Sequence, residues 1–309
     1  MLGDLGRWEE ALTYGQEAAE IRRELASENP GAFQPDVAES LNNLAAFLGE
    51  LGRLEDALSV VREAIGIQRC LVSEYPGAFR QDLARSLNNL ANLLSDLKLR
   101  NEALIAAEET VDVFRQLASE RPEAFLPDLA MSLNNLANRL SNLGHQEEAL
   151  VTGQESVGLY RQLAAERPDV FLPDLAMSLG NLANRLSSLR RWEEALTIGR
   201  EALELRRQLA KINPKVLLPE LAASLHNISE YLIATGHSEA AFVSSQEAVE
   251  LLLPFFVSIP VAFADRIRKM LERYLALAEV TGRQPAPELI EALERANLIE
   301  ISAKDQLTS

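Results

Sequence analysis

The segment Asp128-Leu-Ala-Met-Ser-Leu-Asn-Asn-Leu-Ala-Asn138 returns as Asp174-Leu-Ala-Met-Ser-Leu-Gly-Asn-Leu-Ala-Asn184, displaced by 46 positions. The same 46-residue step joins Leu41, Leu87, Leu133, Leu179, Leu225 and Leu271, with no insertion or deletion between them. A period of this size marks a stack of supersecondary units in which each unit meets mainly its neighbours. The 309 residues are therefore about six and a half copies of one unit, not two globular domains.

Within a unit the apolar spacing is helical. Leu133, Leu136, Ala137 and Leu140 stand at i, i+3, i+4 and i+7 and predict an amphipathic helix A from about Pro127 to Leu143. Gly144 then supplies a helix-ending residue, as do Gly6, Gly52, Gly236 and Gly282. Lys98 and Arg190 take the same place in two units. Helix B is predicted from Glu147-Glu148-Ala149-Leu150 to about Glu166, and Arg167-Pro-Asp-Val-Phe-Leu-Pro173 reads as a linker to the next helix A. Its aromatic recurs at Phe33, Phe79, Phe125, Phe171 and Phe263, with Leu217 as the substitute, and is expected to staple consecutive units. Only 6% of residues are aromatic, and strand-like alternation is scarce, so the fold class expected is all-α.

Small residues select the kind of helical repeat. Ala45, Ala91, Ala137 and Ala183 in helix A, and Ala57, Ala103, Ala149, Ala195 and Ala241 early in helix B, mark close helix approach; Ala64, Thr110, Ser156, Ala202 and Ala248 follow seven places on. This Leu-x-x-Leu-Ala, Gly, Glu-Ala-Leu, small-residue order resembles the tetratricopeptide repeat. It looks most like the long variety of kinesin light chains and of bacterial and fungal signalling proteins, which carries the same Leu-Asn-Asn-Leu-Ala and Glu-Glu-Ala-Leu phrases. The resemblance implies a right-handed superhelical solenoid of antiparallel helix pairs over residues 1–281. Its partial first unit is 1–35, full units start near 36, 82, 128, 174 and 220, and a last helix A spans 264–281. A closing helix is expected within 282–301 and a polar tail over 302–309. Because Leu5-Gly6-Arg7-Trp8 matches the end of a helix A, the first helix B is expected to lack most of its partner.

Composition narrows the function. Asp and Glu number 46 against 30 Lys and Arg, and a net charge of −16 repels nucleic-acid phosphates and anionic membrane surfaces. A single cysteine, Cys70, excludes an intramolecular disulfide. With no signal-like N-terminus, a cytoplasmic setting is expected. His145, His226 and His237 form no metal-ligand spacing, and no phosphate loop or nucleophile–base set stands out, so neither enzyme activity nor a cofactor or metal is expected. The acidic pairs Glu9-Glu10, Glu55-Asp56, Glu147-Glu148 and Glu193-Glu194 suit helix B starts. Asp36, Asp82, Asp128, Asp174 and Glu220 are expected to open the A helices. Arg23, Arg69, Arg115, Arg161 and Arg207 suit the ends of helix B or pairing with nearby carboxylates.

Asparagines recur inside helix A, where their intrinsic propensity is poor: Asn43, Asn89, Asn135, Asn181 and Asn227, with Asn92, Asn138 and Asn184 on the same face. In tetratricopeptide repeats the matching positions look into the concave surface, and in several an asparagine ladder holds the backbone of an extended peptide. A carboxamide offers both donor and acceptor, so it can serve any sequence. The competing expectation is that each asparagine ties helix A to its neighbour. Arg139 and Arg185 are candidates for an acidic ligand side chain. Glu39, Arg85, Met131, Met177 and Ala223 are candidates for setting specificity. The function expected is a non-enzymatic module binding an extended or partly helical segment of a partner protein. The alternatives are a sensor or autoinhibitory arm of a larger signalling NTPase or protease, and a scaffold self-associating through its uncapped first helix.

Overall fold

A computed structural model describes residues 2–296 and 298. Among the described residues there are thirteen helices and no strand: α1 (Leu2–Glu28), α2 (Pro30–Glu50), α3 (Leu54–Glu74), α4 (Pro76–Asp96), α5 (Arg100–Glu120), α6 (Pro122–Asn142), α7 (Gln146–Glu166), α8 (Pro168–Ser188), α9 (Trp192–Ile212), α10 (Pro214–Ala234), α11 (Ser238–Ser258), α12 (Pro260–Thr281) and α13 (Pro287–Arg295). The polar tail expected over 302–309 and the expected end of the closing helix at 299–301 lie outside the described residues.

The corner from each helix B to the next helix A is a single residue. Asn29, Tyr75, Arg121, Arg167, Asn213 and Ile259 have φ between −140° and −133°, and each precedes a proline at the first helical position. Proline forces the residue before it out of the helical region, while its own missing N–H is one the helix start leaves unpaired anyway. An Xaa-Pro step thus ends one helix and starts another with no loop between. The expected linker is therefore helical: helix A begins at Pro122, five residues before Pro127, and Pro35, Pro127, Pro173 and Pro219 sit inside helices. An internal proline removes one backbone hydrogen bond, and Gln81 and Asp265 show that the place does not require it. Phe125 lands in the first turns of α6, buried, with the Arg121 guanidinium 4.9 Å from its ring centre; Phe171 and Arg167 repeat this at 5.6 Å.

The turn from A to B is closed by a left-handed residue. Gly52, Gly144, Gly236 and Gly282 take φ between 67° and 87°, and Lys98 and Arg190 take 62° and 57°. The Arg53 N–H reaches back to the Leu48 carbonyl at 2.9 Å, so the helix-end carbonyls are satisfied. At Gly6 no such turn forms, because α1 runs unbroken from Leu2 to Glu28. A stub of about one turn cannot repay a reversal of the chain with packing, and continuing the helix keeps its backbone bonds.

The helices group into two compact units, Met1–Leu159 and Tyr160–Ser309. From α1 to α6 in the first, and from α8 to α12 in the second, each helix packs chiefly on its chain neighbours, as in a helical-repeat solenoid. Ala57 and Ala103 in the first unit, and Ala195 and Ala241 in the second, have no exposed surface, so small side chains stand where paired helices come closest. Leu41, Leu87, Leu133, Leu179 and Leu225 are buried completely or nearly so in the core. Truncating one to alanine costs about 2–5 kcal/mol. On the opposite side, consecutive B helices are laced by ion pairs 40 residues apart: Arg23–Glu63, Arg69–Glu109 and Arg115–Glu155 in the first unit, Arg161–Glu201 and Arg207–Glu247 in the second, each at 2.7 Å. This pairing, rather than the helix dipole, occupies the arginine row. α11 is the one described helix long and apolar enough to cross a membrane, and its Phe242, Ala248, Val249 and Leu252 are buried in the second unit.

Candidate functional site

In the first unit, α2 and α4 present neighbouring A-helix faces with α3 beneath them. Two clefts lie along this seam. One, of about 350 Å³, is lined by Asp36, Glu39, Asn42 and Asn43 of α2, Gln68 of α3, and Asp82 and Arg85 of α4. The other, of about 300 Å³, is lined by Ala45, Gly49 and Glu50 of α2 and Asn89, Asn92 and Asp96 of α4. Asn42 borders the first and Asn89 the second, and Asn89 Nδ2 donates to Asn42 Oδ1 at 3.0 Å. One unit later Asn135 Nδ2 donates to Asn88 Oδ1 at 3.1 Å, and Arg139 donates to Asn92 Oδ1 at 2.6 Å.

The asparagine rows are thus brought together in pairs across adjacent A helices. Each carboxamide has two donors and two acceptor sites, so a single such bond leaves capacity for another partner. Asn43 and Asn92 are exposed, and Asn89, Asn135 and Asn138 are half-buried. Arg139 is half-buried too, and burial pulls its guanidinium below the usual range against the opposing charge of Asp96.

The second unit uses the same positions differently. Gly180 replaces the carboxamide of Asn42, Asn88 and Asn134, and Asn227 Nδ2 turns instead to Asn184 Oδ1 at 3.0 Å, which also accepts the Tyr231 hydroxyl at 2.7 Å. Asn181 is half-buried. Arg185 is only 3% exposed, and burial lowers its pKa to about 10. Its guanidinium lies under the surface, unlike that of half-buried Arg139. His226, in the register of Gly180, is pushed down to about 4 by burial and by the charges of Arg273 and Lys269 on α12.

The carboxylates Asp36, Asp82, Asp128, Asp174 and Glu220 do not open the A helices, since each lies about two turns inside. Asp36 and Asp82 line the larger cleft instead. Burial raises the Asp82 carboxyl above the usual range, helped by Glu39 and opposed by Arg85; Asp128 is raised by burial against the same Arg85, and Asp174 by burial. This row was absent from the expected site because its residues were assigned to helix starts. Of the positions expected to set specificity, Glu39 and Arg85 line the cleft, and Met131 and Met177 are 39% and 40% exposed on α6 and α8.

Within each unit, stacked helix pairs with polar A-helix faces define a helical-repeat protein. Tetratricopeptide repeat profiles match residues 1–69, 83–122, 129–167 and 175–213. The chain belongs to the tetratricopeptide repeat family, whose members are generally non-catalytic interaction modules. No curated protein matches the sequence. Among solved structures, BtubC (BKLC) from P. vanneervenii is similar at 20% identity and a TM-score of 0.64, over 79% of this chain and 90% of that one. A putative kinesin light chain of Podospora anserina with nearly identical repeats is similar at 22% identity and a TM-score of 0.52, over 72% of this chain and 97% of that one. A STAND signal-transduction ATPase with a tetratricopeptide repeat sensor, from Pyrococcus horikoshii, is similar at 18% identity and a TM-score of 0.61, over 98% of this chain and 44% of that one.

Proposed function

We propose that the protein is a non-enzymatic module that binds an extended or partly helical segment of a partner protein along the A-helix seam. The observation that carries this reading is the pair of open clefts on α2 and α4, lined by Asn42, Asn43, Asn89 and Asn92, whose carboxamides keep hydrogen-bonding capacity beyond their bonds to protein groups. Partner main chain would bond to Asn43, Asn89, Asn135, Asn181 and Asn227, and to Asn92, Asn138 and Asn184. Arg139 would take an acidic side chain. The test uses a peptide selected from a random displayed library against the full chain. Substituting Asn89, Asn135 and Asn181 together by alanine should weaken it at least tenfold while helicity by circular dichroism stays the same; unchanged affinity would remove the ladder.

A second reading is a sensor arm controlling a separate catalytic part, with the same seam as input. It is favoured by the likeness of nearly this whole chain to a protein with a tetratricopeptide repeat sensor. Sequencing the complete reading frame tests it: a nucleotide-binding or protease segment in frame supports the arm, and none leaves the stand-alone module.

A further inference from the structure

One column of the repeat has no common residue type. Arg22, Gln68, Phe114, Tyr160, Arg206 and Leu252 occupy it, one per helix B. In α1, Arg22 donates to the Asp36 carbonyl at 3.1 Å and to Ser40 Oγ, with Glu39 at 3.7 Å. In α9, Arg206 donates to Ser224 Oγ and lies so close against α8 that a Cβ at Gly180 would stand 2.9 Å from its Nη2. Phe114 fills its own place with a ring 1% exposed. Gln68 is shorter than arginine and smaller than phenylalanine.

What Gln68 leaves open is the 350 Å³ cleft described above, bounded by the register equivalents of the groups around Arg206. Asn42 stands for Gly180 and Asp82 for Glu220. Gln68 itself is 3% exposed, and among the described residues its Oε1 has no hydrogen-bond partner. Ser86, the counterpart of Ser40 and Ser224, is fully buried, and its Oγ likewise has none. A buried, unpaired polar atom is costly, so the Gln68 Oε1 bordering the cleft implies a missing donor. The cleft carries three carboxylates, Asp36, Glu39 and Asp82, against Arg85 in its lining and Arg22 at 3.7 Å from Glu39, which leaves a net negative charge. Arg85 is also drawn toward Asp128. Donors are wanted, the local charge is negative, and the same place elsewhere in the chain holds a guanidinium. A planar fork of five N–H donors matches that demand better than a neutral amide.

We propose that this cleft receives an arginine side chain of the partner segment, and that Gln68 keeps it vacant where Arg22 and Arg206 close it from within. The inference rests on the A-helix seam being the binding face, and adds the chemistry of one anchoring residue.

The probe is N-acetyl-L-arginine N-methylamide, titrated into the full chain and followed by amide NMR, with the citrulline analogue as an uncharged control of the same shape. Saturable shifts should appear around Asp36, Gln68 and Asp82, at least tenfold weaker with citrulline. Gln68→Arg, which copies the residue of two other helices, should abolish them, and Asp82→Asn should weaken them severalfold. Equal response to citrulline, shifts that survive Gln68→Arg, or no saturable binding would overturn the proposal, the last meaning that water alone fills the gap. The seam reading can fail separately. A selected peptide that loses affinity with the asparagine substitutions but ignores Gln68→Arg upholds the seam and overturns the arginine site. Arginine-amide binding alongside a peptide indifferent to the asparagines upholds the site and removes the ladder.

Discussion

Asn89 Nδ2 donates to Asn42 Oδ1 across 3.0 Å, joining two A helices through residues 47 apart in the chain. A double-mutant cycle on Asn42→Ala and Asn89→Ala measures that tie. The expected coupling is about 0.5–1.5 kcal/mol, the net worth of one part-buried hydrogen bond, read from urea midpoints. Zero coupling would leave both carboxamides wholly available to a ligand.

Lys98 and Arg190 hold φ of 62° and 57° at turns where glycine serves in other units. A side chain in the left-handed region costs roughly 1–2 kcal/mol, and glycine gives back part of this through the unfolded chain. Lys98→Gly and Arg190→Gly should each stabilise by about 0.5–1 kcal/mol in urea unfolding. The same change at exposed Arg200, inside α9, should destabilise by about 1 kcal/mol.

His226 titrates near 4, below its ordinary 6.5, because burial and the cations of α12 disfavour its charged form. The unfolded chain therefore binds more protons than the folded one between these values. The stability this group confers is full above about 6.5 and declines as pH falls toward 4. Melting temperature against pH should lose part of its acid slope in His226→Gln, and the imidazole resonances should titrate near 4 in the parent.

Asp174 is shifted the other way, raised from 3.8 by burial. Its folded form favours the neutral carboxyl, so the charge carried at pH 7 opposes folding. Asp174→Asn should raise the melting temperature at pH 7. The advantage should shrink below pH 3.8, where both folded and unfolded carboxyls are protonated.

Period, helix pairing and left-handed turns were legible in the sequence because each rests on a pattern that recurs at a fixed step. The start of helix A was not. Pro127 and Pro173 read as linker residues, yet Pro122 and Pro168 were the ones at the first helical position. That five-residue error turned Asp82 and its equivalents from cleft carboxylates into supposed helix starts. The asparagine rows were legible as rows, but Asn89 meeting Asn42 rather than Asn43 depends on how adjacent helices are rotated, which spacing alone does not fix. The column of Arg22, Gln68, Phe114, Tyr160, Arg206 and Leu252 was invisible for the opposite reason, since its residues share a place but no common residue type.

The one-residue corners at Tyr75, Arg121 and Arg167 bear on how such a chain can be cut and rejoined. Ten successive helices, α2 to α11, are each 21 residues long. With no slack between a helix B and the next helix A, a single residue inserted within a helix would turn the chain that follows by about 100° about that helix's axis. Removal or duplication of a whole 46-residue block leaves every face in phase. Such a molecule can be lengthened or shortened only in whole steps, and the side chains on its seam can be reordered as blocks without being redesigned.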